Sequence, residues 1–324
     1  MPPTPELLPD TDGFHEPRRE DCPWCGSGRL RTRLRTSDLL HHRPGRFSVD
    51  ECRDCAHTFQ NPRLTAEGFT LYHRDYYEGR LEDHTDGMLA TRAGRRRHRA
   101  AARVMQALTE PESWLDVGTG RAHFPQTAKE LLPYTSFDGV DSTLRVTWAQ
   151  ADGHLEEAHC GHLTAPHMLA RLRARYDVVS MFRHLEHTPD PRAELRAALA
   201  ALRPGGHLLI EVADPRSGFG ALLGRWWVPY GQPRHLHLVP PANLRAELES
   251  QGCEILSVDR KAAHLPCDIS AALALMLGRV LPKRALGATA PLVAVAAAVD
   301  RALAPLLSRT PFSNGYRIIA RKTR

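Results

Sequence analysis

The feature that most constrains this chain is a glycine-rich turn at residues 113–124, Ser-Trp-Leu-Asp-Val-Gly-Thr-Gly-Arg-Ala-His-Phe. A short apolar segment runs into Gly118 and Gly120, and a sequence that can begin a helix follows. A strand, a tight turn and a helix in this order direct backbone N–H groups and the positive end of the helix dipole toward one point. Glycines also let a ligand lie directly against the backbone. The turn therefore predicts a nucleotide-like ligand in an α/β domain.

The residues around the turn narrow the choice of ligand. The dinucleotide-binding pattern G-x-G-x-x-G requires a third glycine where this chain has His123, and the small residue Ala122 comes one position early. Asp116, two residues before the first glycine, can pair with an ammonium group, which a pyrophosphate lacks. Asp141 ends the next predicted strand, where an acid accepts hydrogen bonds from ribose hydroxyls. The alternative is an ordinary glycine turn, with Asp141 capping the helix that follows.

Length and composition limit the class of protein. The chain has 324 residues, 42% hydrophobic and 25% charged, which is typical of a soluble globular protein with either one large domain or a main domain and a small one. The net charge of +6 comes from arginine in a chain rich in alanine and proline, so we do not take it as evidence for nucleic-acid binding. Residues 1–20 lack an apolar leader and predict a flexible tail. The uncharged run 285–299 is too short to span a bilayer, so we expect a cytoplasmic protein without a transmembrane segment.

Two Cys-x-x-Cys pairs precede the glycine turn: Cys22 and Cys25, then Cys52 and Cys55. In a cytoplasmic chain, two such pairs predict a four-thiolate zinc site in a zinc-ribbon module over residues 21–64. Since thiolates fill all four positions and leave none for water, the expected zinc ion is structural. A redox pair or unrelated thiols are the alternatives, although a redox motif does not need the second pair.

Residues 65–111 are expected to form a linker and a helical cap. The run at 91–108 combines arginines with alanine, valine and methionine, which predicts a helix with one face on the sheet and the other in solvent. An anion site on this helix is the less favoured interpretation. The basic residues in the run are Arg95, Arg96, Arg97, His98, Arg99 and Arg103.

Three motifs carry a resemblance to a known family. They are Asp-x-Gly-x-Gly-x-Ala at 116–122, Leu-Glu-His-x-x-Asp-Pro at 185–191, and Leu-x-Pro-Gly-Gly at 202–206. Together they resemble the class I S-adenosylmethionine (SAM)-dependent methyltransferases. The cysteine pairs, followed by Asn61-Pro62-Arg63, resemble a subgroup with an N-terminal zinc-binding region, which includes small-molecule O-methyltransferases and sugar C-methyltransferases.

The resemblance implies a Rossmann-like α/β fold with a seven-stranded sheet. The SAM-binding domain would span 112–324, with a lid loop at 214–240 and a helical insertion at 264–310 before the last strand. The insertion would cap an apolar acceptor, form a homodimer face or lie on a membrane surface, in that order. The expected cofactors are SAM and structural Zn²⁺. The residues expected to contact SAM are Asp116, Gly118, Thr119, Gly120, Asp141, Ser142, His162 and Phe182.

Two positions depart from the family pattern. His162 stands where the family often has an acid that meets the adenine amino group, which puts that contact in question. Arg183 and His184 stand where relatives of the quinone-biosynthesis type carry a glutamate before Leu-Glu-His. The missing acid argues against a catalytic Mg²⁺.

The chemistry expected from the resemblance is methyl transfer to a hydroxyl of a small, partly apolar metabolite of secondary metabolism. Because the sulfonium of SAM is already activated, the enzyme must orient the acceptor and take its proton. The candidate bases are His235 on the lid and His187 after the fourth strand, with Glu186 orienting either imidazole. His184 and His237 are further candidates. The alternatives are a sugar C-methyltransferase, a zinc-ribbon-assisted nucleic-acid methyltransferase, and an NAD-dependent oxidoreductase, which His123 disfavours.

Overall fold

The computed structural model describes residues 11–77 and 92–323, whose strands lie in one sheet of four and one of seven. The strands are β1 (Leu30–Thr36), β2 (Phe47–Cys52), β3 (Thr58–Gln60), β4 (Ser113–Val117), β5 (Ser136–Asp141), β6 (Ala158–Cys160), β7 (Tyr176–Phe182), β8 (Leu202–Ala213), β9 (His237–Leu238), β10 (Cys253–Asp259) and β11 (Gly315–Lys322). The helices are α1 (Ala66–Tyr77), α2 (Arg92–Leu108), α3 (His123–Ala128), α4 (Arg145–Ala151), α5 (Pro166–Leu172), α6 (Pro191–Ala201), α7 (Gly218–Leu223), α8 (Pro241–Ser250), α9 (Asp268–Val280), α10 (Lys283–Leu286) and α11 (Ala290–Leu307).

The larger sheet has the order β10-β11-β8-β7-β4-β5-β6. Strands β4 to β8 pair in parallel, whereas β11 is antiparallel to both of its neighbours. Parallel neighbours need crossover connections, and the helices between these strands supply them. Strands β5 and β6 lie on one side of β4, and the later strands β7 and β8 lie on its other side. In open α/β sheets, ligands bind at the carboxyl edge beside such a reversal. The expected Rossmann-like, seven-stranded class is confirmed.

The core of this sheet explains why its strands are nearly continuous apolar runs. Leu115 and Phe137 are fully buried on neighbouring parallel strands, where helices cover both faces. Each such side chain contributes about 1.5–3 kcal/mol of burial free energy. The indole N–H of Trp114, also fully buried, donates to Ser180 Oγ on β7 at 2.8 Å. This bond satisfies a polar group that would be costly to bury alone.

The smaller sheet joins the cysteine-containing module to the rest of the chain. Its order is β1-β2-β3-β9, so its last strand comes from the segment 214–240. Thr58 pairs with Leu238, and Phe59 pairs with His237. The prediction of a lid loop at 214–240 is therefore wrong for residues 237–238, because these residues form a strand of the module's sheet. Three aromatic residues of the same segment are buried in the fold: Phe219, Trp227 and Tyr230.

The N-terminal segment is fixed further upstream than expected. Glu16 N donates to Arg63 O at 2.8 Å, and Arg19 N donates to Asn61 Oδ1 at 2.8 Å. Arg18 forms an ion pair of 2.5 Å with the buried carboxylate of Asp50. The prediction of a flexible tail up to residue 20 is therefore wrong for residues 16–20. Residues 1–10 of that tail and residues 78–91 of the expected linker lie outside the described residues.

The expected insertion before the last strand consists of α9, α10 and α11. Asp300 of α11 is buried and accepts hydrogen bonds from the backbone N–H groups of Ile269 (3.0 Å) and Ser270 (2.8 Å) in the first turn of α9. The helical segment Arg284–Leu307 continues past the uncharged run and is long and apolar enough to cross a membrane. Apolar helices of soluble proteins meet the same criterion. The expectation concerned the run 285–299, which is only part of this helical segment, and the absence of a transmembrane segment stays a prediction.

Candidate active site

The glycine turn follows β4 at the carboxyl edge of the large sheet. Gly118 and Gly120 have φ values of 72° and 53°, in the left-handed region that glycine adopts at little cost. Gly118 N donates to Val140 O at 2.8 Å, which fixes the turn to the next strand. A Cβ at Gly118 would overlap the ring of His184. Glycine is therefore required at 118 by the backbone conformation and by the neighbouring imidazole.

His184 is held over the turn by a carboxylate. Its Nε2 lies 2.9 Å from Oε1 of Glu194 on α6. Burial alone lowers the pKa of His184, but the hydrogen bond and charge of Glu194 outweigh burial, and the pKa is raised above its usual value. The structure thus makes His184 part of the wall of the turn, a role that its place in the sequence does not reveal.

Asp116 lies just before the turn with its carboxyl group inside the protein. Oδ1 accepts a hydrogen bond from Ser180 Oγ at 2.5 Å. Burial raises the pKa of Asp116 to about 7, although the bond from Ser180 favours the ionised form. A cation placed beside a buried carboxyl group lowers its pKa. The ammonium group of a ligand would therefore complete this site electrostatically.

Asp141 connects the turn to the loop after β5. Oδ2 accepts from Gly120 N at 2.9 Å, and Oδ1 accepts from Thr143 N and Oγ1 at 2.8 and 2.6 Å. Each carboxylate oxygen has two lone pairs, so Asp141 retains capacity for further hydrogen bonds. Its position at the end of β5 matches the predicted contact with ribose hydroxyls.

The other predicted cofactor residues differ in their exposure. Thr119 is buried in the turn, and Ser142 is half-buried beside Asp141. Phe182, at the end of β7, contacts Phe124 with ring centroids 4.5 Å apart. His162 is exposed on the loop after β6. All of these residues lie in or just after the carboxyl ends of β4 to β7, and their contacts with a cofactor stay a prediction.

Two of the predicted catalytic histidines lie against each other. The rings of His187 and His235 have centroids 4.7 Å apart. His187 Nδ1 lies 3.1 Å from Arg234 O, and His235 Nδ1 lies 2.9 Å from Pro229 O. Because a carbonyl oxygen only accepts, Nδ1 carries the hydrogen in both bonds. In the neutral tautomer each Nε2 then carries the lone pair that a general base needs.

The carboxylate of Glu186 is directed into the interior toward β8. Its Oε1 accepts from Ala213 N at 2.8 Å and lies 3.7 Å from Arg183 Nη1. Burial raises the pKa of Glu186. Its expected role in orienting an imidazole stays a prediction.

His237 is also unsuited to act as a base. It is buried, with Nδ1 3.2 Å from His57 Nε2 and Nε2 3.3 Å from Pro189 O. Burial lowers its pKa to about 4. Its imidazole links the cysteine module to the large domain.

The four cysteines of the module converge. Sγ of Cys22 lies 3.7 Å from Sγ of Cys55, and Sγ of Cys25 lies 3.6 Å from Sγ of Cys52. All four sulfur atoms lie within 4.8 Å of one another. A tetrahedral zinc ion with bonds of about 2.3 Å separates its sulfur ligands by about 3.8 Å. The sulfur positions therefore fit a zinc ion.

A charged cluster beside β7 was not predicted from the sequence. Arg97 and Arg317 are buried next to Glu211 on β8, and Arg183 lies at their edge. Helical periodicity could have revealed that Arg97 is buried, because Arg97 lies four residues before the buried Ala101. The same spacing that directs Ala101 to the sheet directs Arg97 there.

Comparisons with known proteins agree with this geometry. A family model described as a methyltransferase domain matches residues 89–258. The ubiquinone biosynthesis O-methyltransferase of Idiomarina loihiensis is 25% identical over 191 residues, 56% of this chain and 69% of that protein. The enzyme of the same name from Aeromonas salmonicida is 29% identical over 157 residues, 46% of this chain and 65% of that protein.

Among solved structures, the plantazolicin methyltransferase BamL, in complex with a triazolic desmethylPZN analog and SAH, superposes with a TM-score of 0.52. The match covers 80% of this chain and 97% of that chain at 12% identity. At this identity the likeness is one of fold.

Proposed function

We propose that this chain, which belongs to the methyltransferase-domain family and is a SAM-dependent methyltransferase, transfers the methyl group to a hydroxyl oxygen of a small metabolite. The observation that carries the proposal is the pair His187 and His235, with both Nδ1 atoms bonded to carbonyl oxygens. The curated relatives are O-methyltransferases by name, which supports oxygen as the methylated atom.

The two imidazoles suit the proton chemistry of this reaction. A hydroxyl oxygen must lose its proton as it attacks the methyl group, and an imidazole titrates in the range where it can accept that proton. His187 comes three residues after His184, and the ring of His184 lies against Gly118 of the glycine turn. His235 belongs to the segment 214–240. We favour His235 as the base, with His187 against its ring.

The test is the rate of methyl transfer to a panel of hydroxylated metabolites at saturating SAM. His235→Ala should slow turnover by about 10²–10⁴, the usual contribution of a general base, and should remove the acid limb of the pH–rate profile. His187→Ala tests the second imidazole. His167→Ala, on the exposed side of α5, is the matched control and should leave the rate unchanged. Wild-type turnover and profile in both His235→Ala and His187→Ala would exclude a histidine base here.

We propose that Asp116 pairs with the ammonium group of SAM, and this predicts a pH dependence of cofactor binding. The pKa of Asp116 is about 7 without a ligand, and only the ionised carboxylate attracts an ammonium group. Affinity should therefore fall as the pH drops below 7, by up to roughly tenfold per pH unit. Calorimetry with SAH between pH 5.5 and 8.5 measures this, and Asp116→Asn should flatten the curve. The exposed Asp152→Asn is the control, and an equal slope in Asp116→Asn would contradict the assignment.

We further propose a structural zinc ion on Cys22, Cys25, Cys52 and Cys55. The sulfur–sulfur distances support it. Four thiolates are also enough to complete the tetrahedral coordination of a structural zinc ion. When bound, the ion would stabilise the module and take no part in methyl transfer.

A further inference from the structure

Three arginines lie around Glu211 beside the carboxyl edge of the large sheet, two of them with their side chains against its carboxylate. Arg317 of β11 donates from Nε to Glu211 Oε1 at 2.6 Å. Arg97 of α2 approaches the other oxygen of Glu211, with Nε 3.4 Å from Oε2. Arg183 joins them through its backbone, since its N–H donates to Glu211 O at 2.8 Å. Its guanidinium lies against Gly315, where a Cβ would be 2.8 Å from Nη2.

The guanidinium of Arg97 is buried without hydrogen bonds. Only 4% of its side chain is exposed, and Nε, Nη1 and Nη2 all lack a hydrogen-bond partner within the described ranges. Arg183 Nε and Arg317 Nη1 also lack partners there. A guanidinium stays charged and has five N–H donors, so burying it in this way is costly unless another group binds it.

Two buried guanidinium groups share one carboxylate. Arg97 and Arg317 both lie against Glu211, and all three side chains are almost fully buried. Arg183, at their edge, lies 3.7 Å from Oε1 of Glu186. An anion between the guanidinium groups would satisfy the charge and the open donors together.

The cluster is joined to the glycine turn through one short segment. Arg183 comes between Phe182, at the end of β7, and His184, whose ring lies against Gly118. A group bound by Arg183 would therefore lie on the same edge of the sheet as the turn. Guanidinium groups bind planar carboxylates and phosphates through two parallel hydrogen bonds.

We propose that Arg97, Arg183 and Arg317 bind an oxyanion group of the acceptor, so that the acceptor is a hydroxylated metabolite carrying a carboxylate or a phosphate. This inference rests on the function proposed above and specifies its substrate class. Glu211 is a positioning residue in this arrangement, because it holds Arg317 and Arg97 around the place where the anion binds.

The first experiment measures anion binding without turnover. Protein saturated with SAH is titrated with benzoate and, separately, with inorganic phosphate, at ionic strength held constant with KCl. The wild type should show saturable binding by calorimetry and a rise in melting temperature for at least one anion. Whichever anion binds more tightly identifies the carboxylate or the phosphate. Wild-type protein that binds neither anion at millimolar concentration would overturn the inference.

Substitutions at Arg97 locate the site. Arg97→Met should weaken anion binding at least tenfold while SAH affinity is kept, and Arg103→Met, exposed on the same helix, should not. Without anion, Arg97→Met should melt at or above the wild-type temperature, because the variant lacks an unpaired buried charge. Arg97→Lys keeps the charge but loses the paired donors and should bind anions weakly. Unchanged anion binding in both Arg97 variants, or a lower melting temperature for Arg97→Met in the absence of anion, would contradict the proposal.

Methyl transfer then separates this inference from the function on which it rests. Hydroxylated acids should be methylated at least tenfold faster than the corresponding carboxamides, and Arg97→Met should remove the difference. Equal rates for acids and carboxamides in the wild type would overturn the oxyanion site and leave the methyltransferase function standing. Anion binding at Arg97 without methyl transfer to any hydroxylated compound would instead overturn the proposed function.

Discussion

The cysteine module and the helical insertion are both additions to the seven-stranded sheet, and they are attached to it in opposite ways. The module shares strand pairing with the large domain through β3 and β9. Polar contacts reinforce this junction, such as Asn243 Nδ2 donating to Cys55 O at 3.1 Å. The insertion is held at its base by buried carboxylates, while Leu292, Val295 and Leu306 on the outer face of α11 are more than half exposed.

The difference shows that the cysteine module and the helical insertion are stabilised in different ways. The module is too small to bury a large core of its own, so its strand pairing with the large domain must contribute to its stability. The proposed zinc ion would add to that stability when bound. The insertion has helices that pack against each other, and Asp268 accepts from Trp227 Nε1 at 2.7 Å and from Asn314 Nδ2 at 2.5 Å. Its outer apolar residues contribute little to folding. Their expected use against an acceptor, a second copy or a membrane stays a prediction.

The largest effect should come from removing a zinc ligand. Cys52→Ser should lower the free energy of unfolding by more than about 4 kcal/mol, because structural zinc contributes on the order of 10 kcal/mol in small zinc domains. Calorimetric melting and metal analysis of the purified protein measure the change. Cys160→Ser, at an exposed thiol on β6, is the control. Equal melting temperatures for the two variants, with less than half an equivalent of zinc in the wild type, would rule out the zinc site.

A smaller effect is expected at the base of the insertion. Asp300→Ala leaves the N–H groups of Ile269 and Ser270 without their acceptor, which should cost about 2–3 kcal/mol. Hydrogen exchange should increase in α9 while the strands of the large sheet stay protected. Asp152→Ala, exposed at the end of α4, is the comparison. If exchange rises throughout the large sheet as well, the insertion is not a separately anchored addition.

The smallest effect is expected on the outer face of the insertion. Val299→Ser should change the free energy of unfolding by less than about 0.5 kcal/mol, as is usual for exposed positions. Ala296→Leu, on the face packed against α9, should cost about 1–3 kcal/mol through overpacking. Urea denaturation of both variants gives the two values. A larger loss for Val299→Ser than for Ala296→Leu would mean that the outer face is covered in solution.

Much of the candidate site could be predicted because its signals are local. Gly118 and Gly120 adopt the positive φ values that a glycine-rich turn after a strand requires. Asp141 lies at the end of the next strand, as its position after an apolar run indicated. Cys22 and Cys25 lie close together because only two residues separate them in the chain. In these cases neighbouring residues along the chain define the geometry.

Contacts between distant parts of the chain could not be predicted in this way. Residues 214–240 had the composition of a mobile loop, yet Trp227 and Tyr230 are buried and His237 pairs with the module. Glu186 belongs to a recognisable motif, but the motif does not show that its carboxylate accepts a hydrogen bond from Ala213 N. Such outcomes depend on which elements pack together, and the motif itself does not contain that information.

The sequence by itself determined the class of fold, the glycine turn and the four-cysteine cluster, because each depends on backbone conformation or on residues close together in the chain. Only the tertiary structure decided that Arg97 lies inside against Glu211, that His184 covers Gly118, and that β9 completes the module's sheet. The physical reason is that these contacts join residues far apart in the sequence, and their charge and burial exist only after the sheet has brought them together.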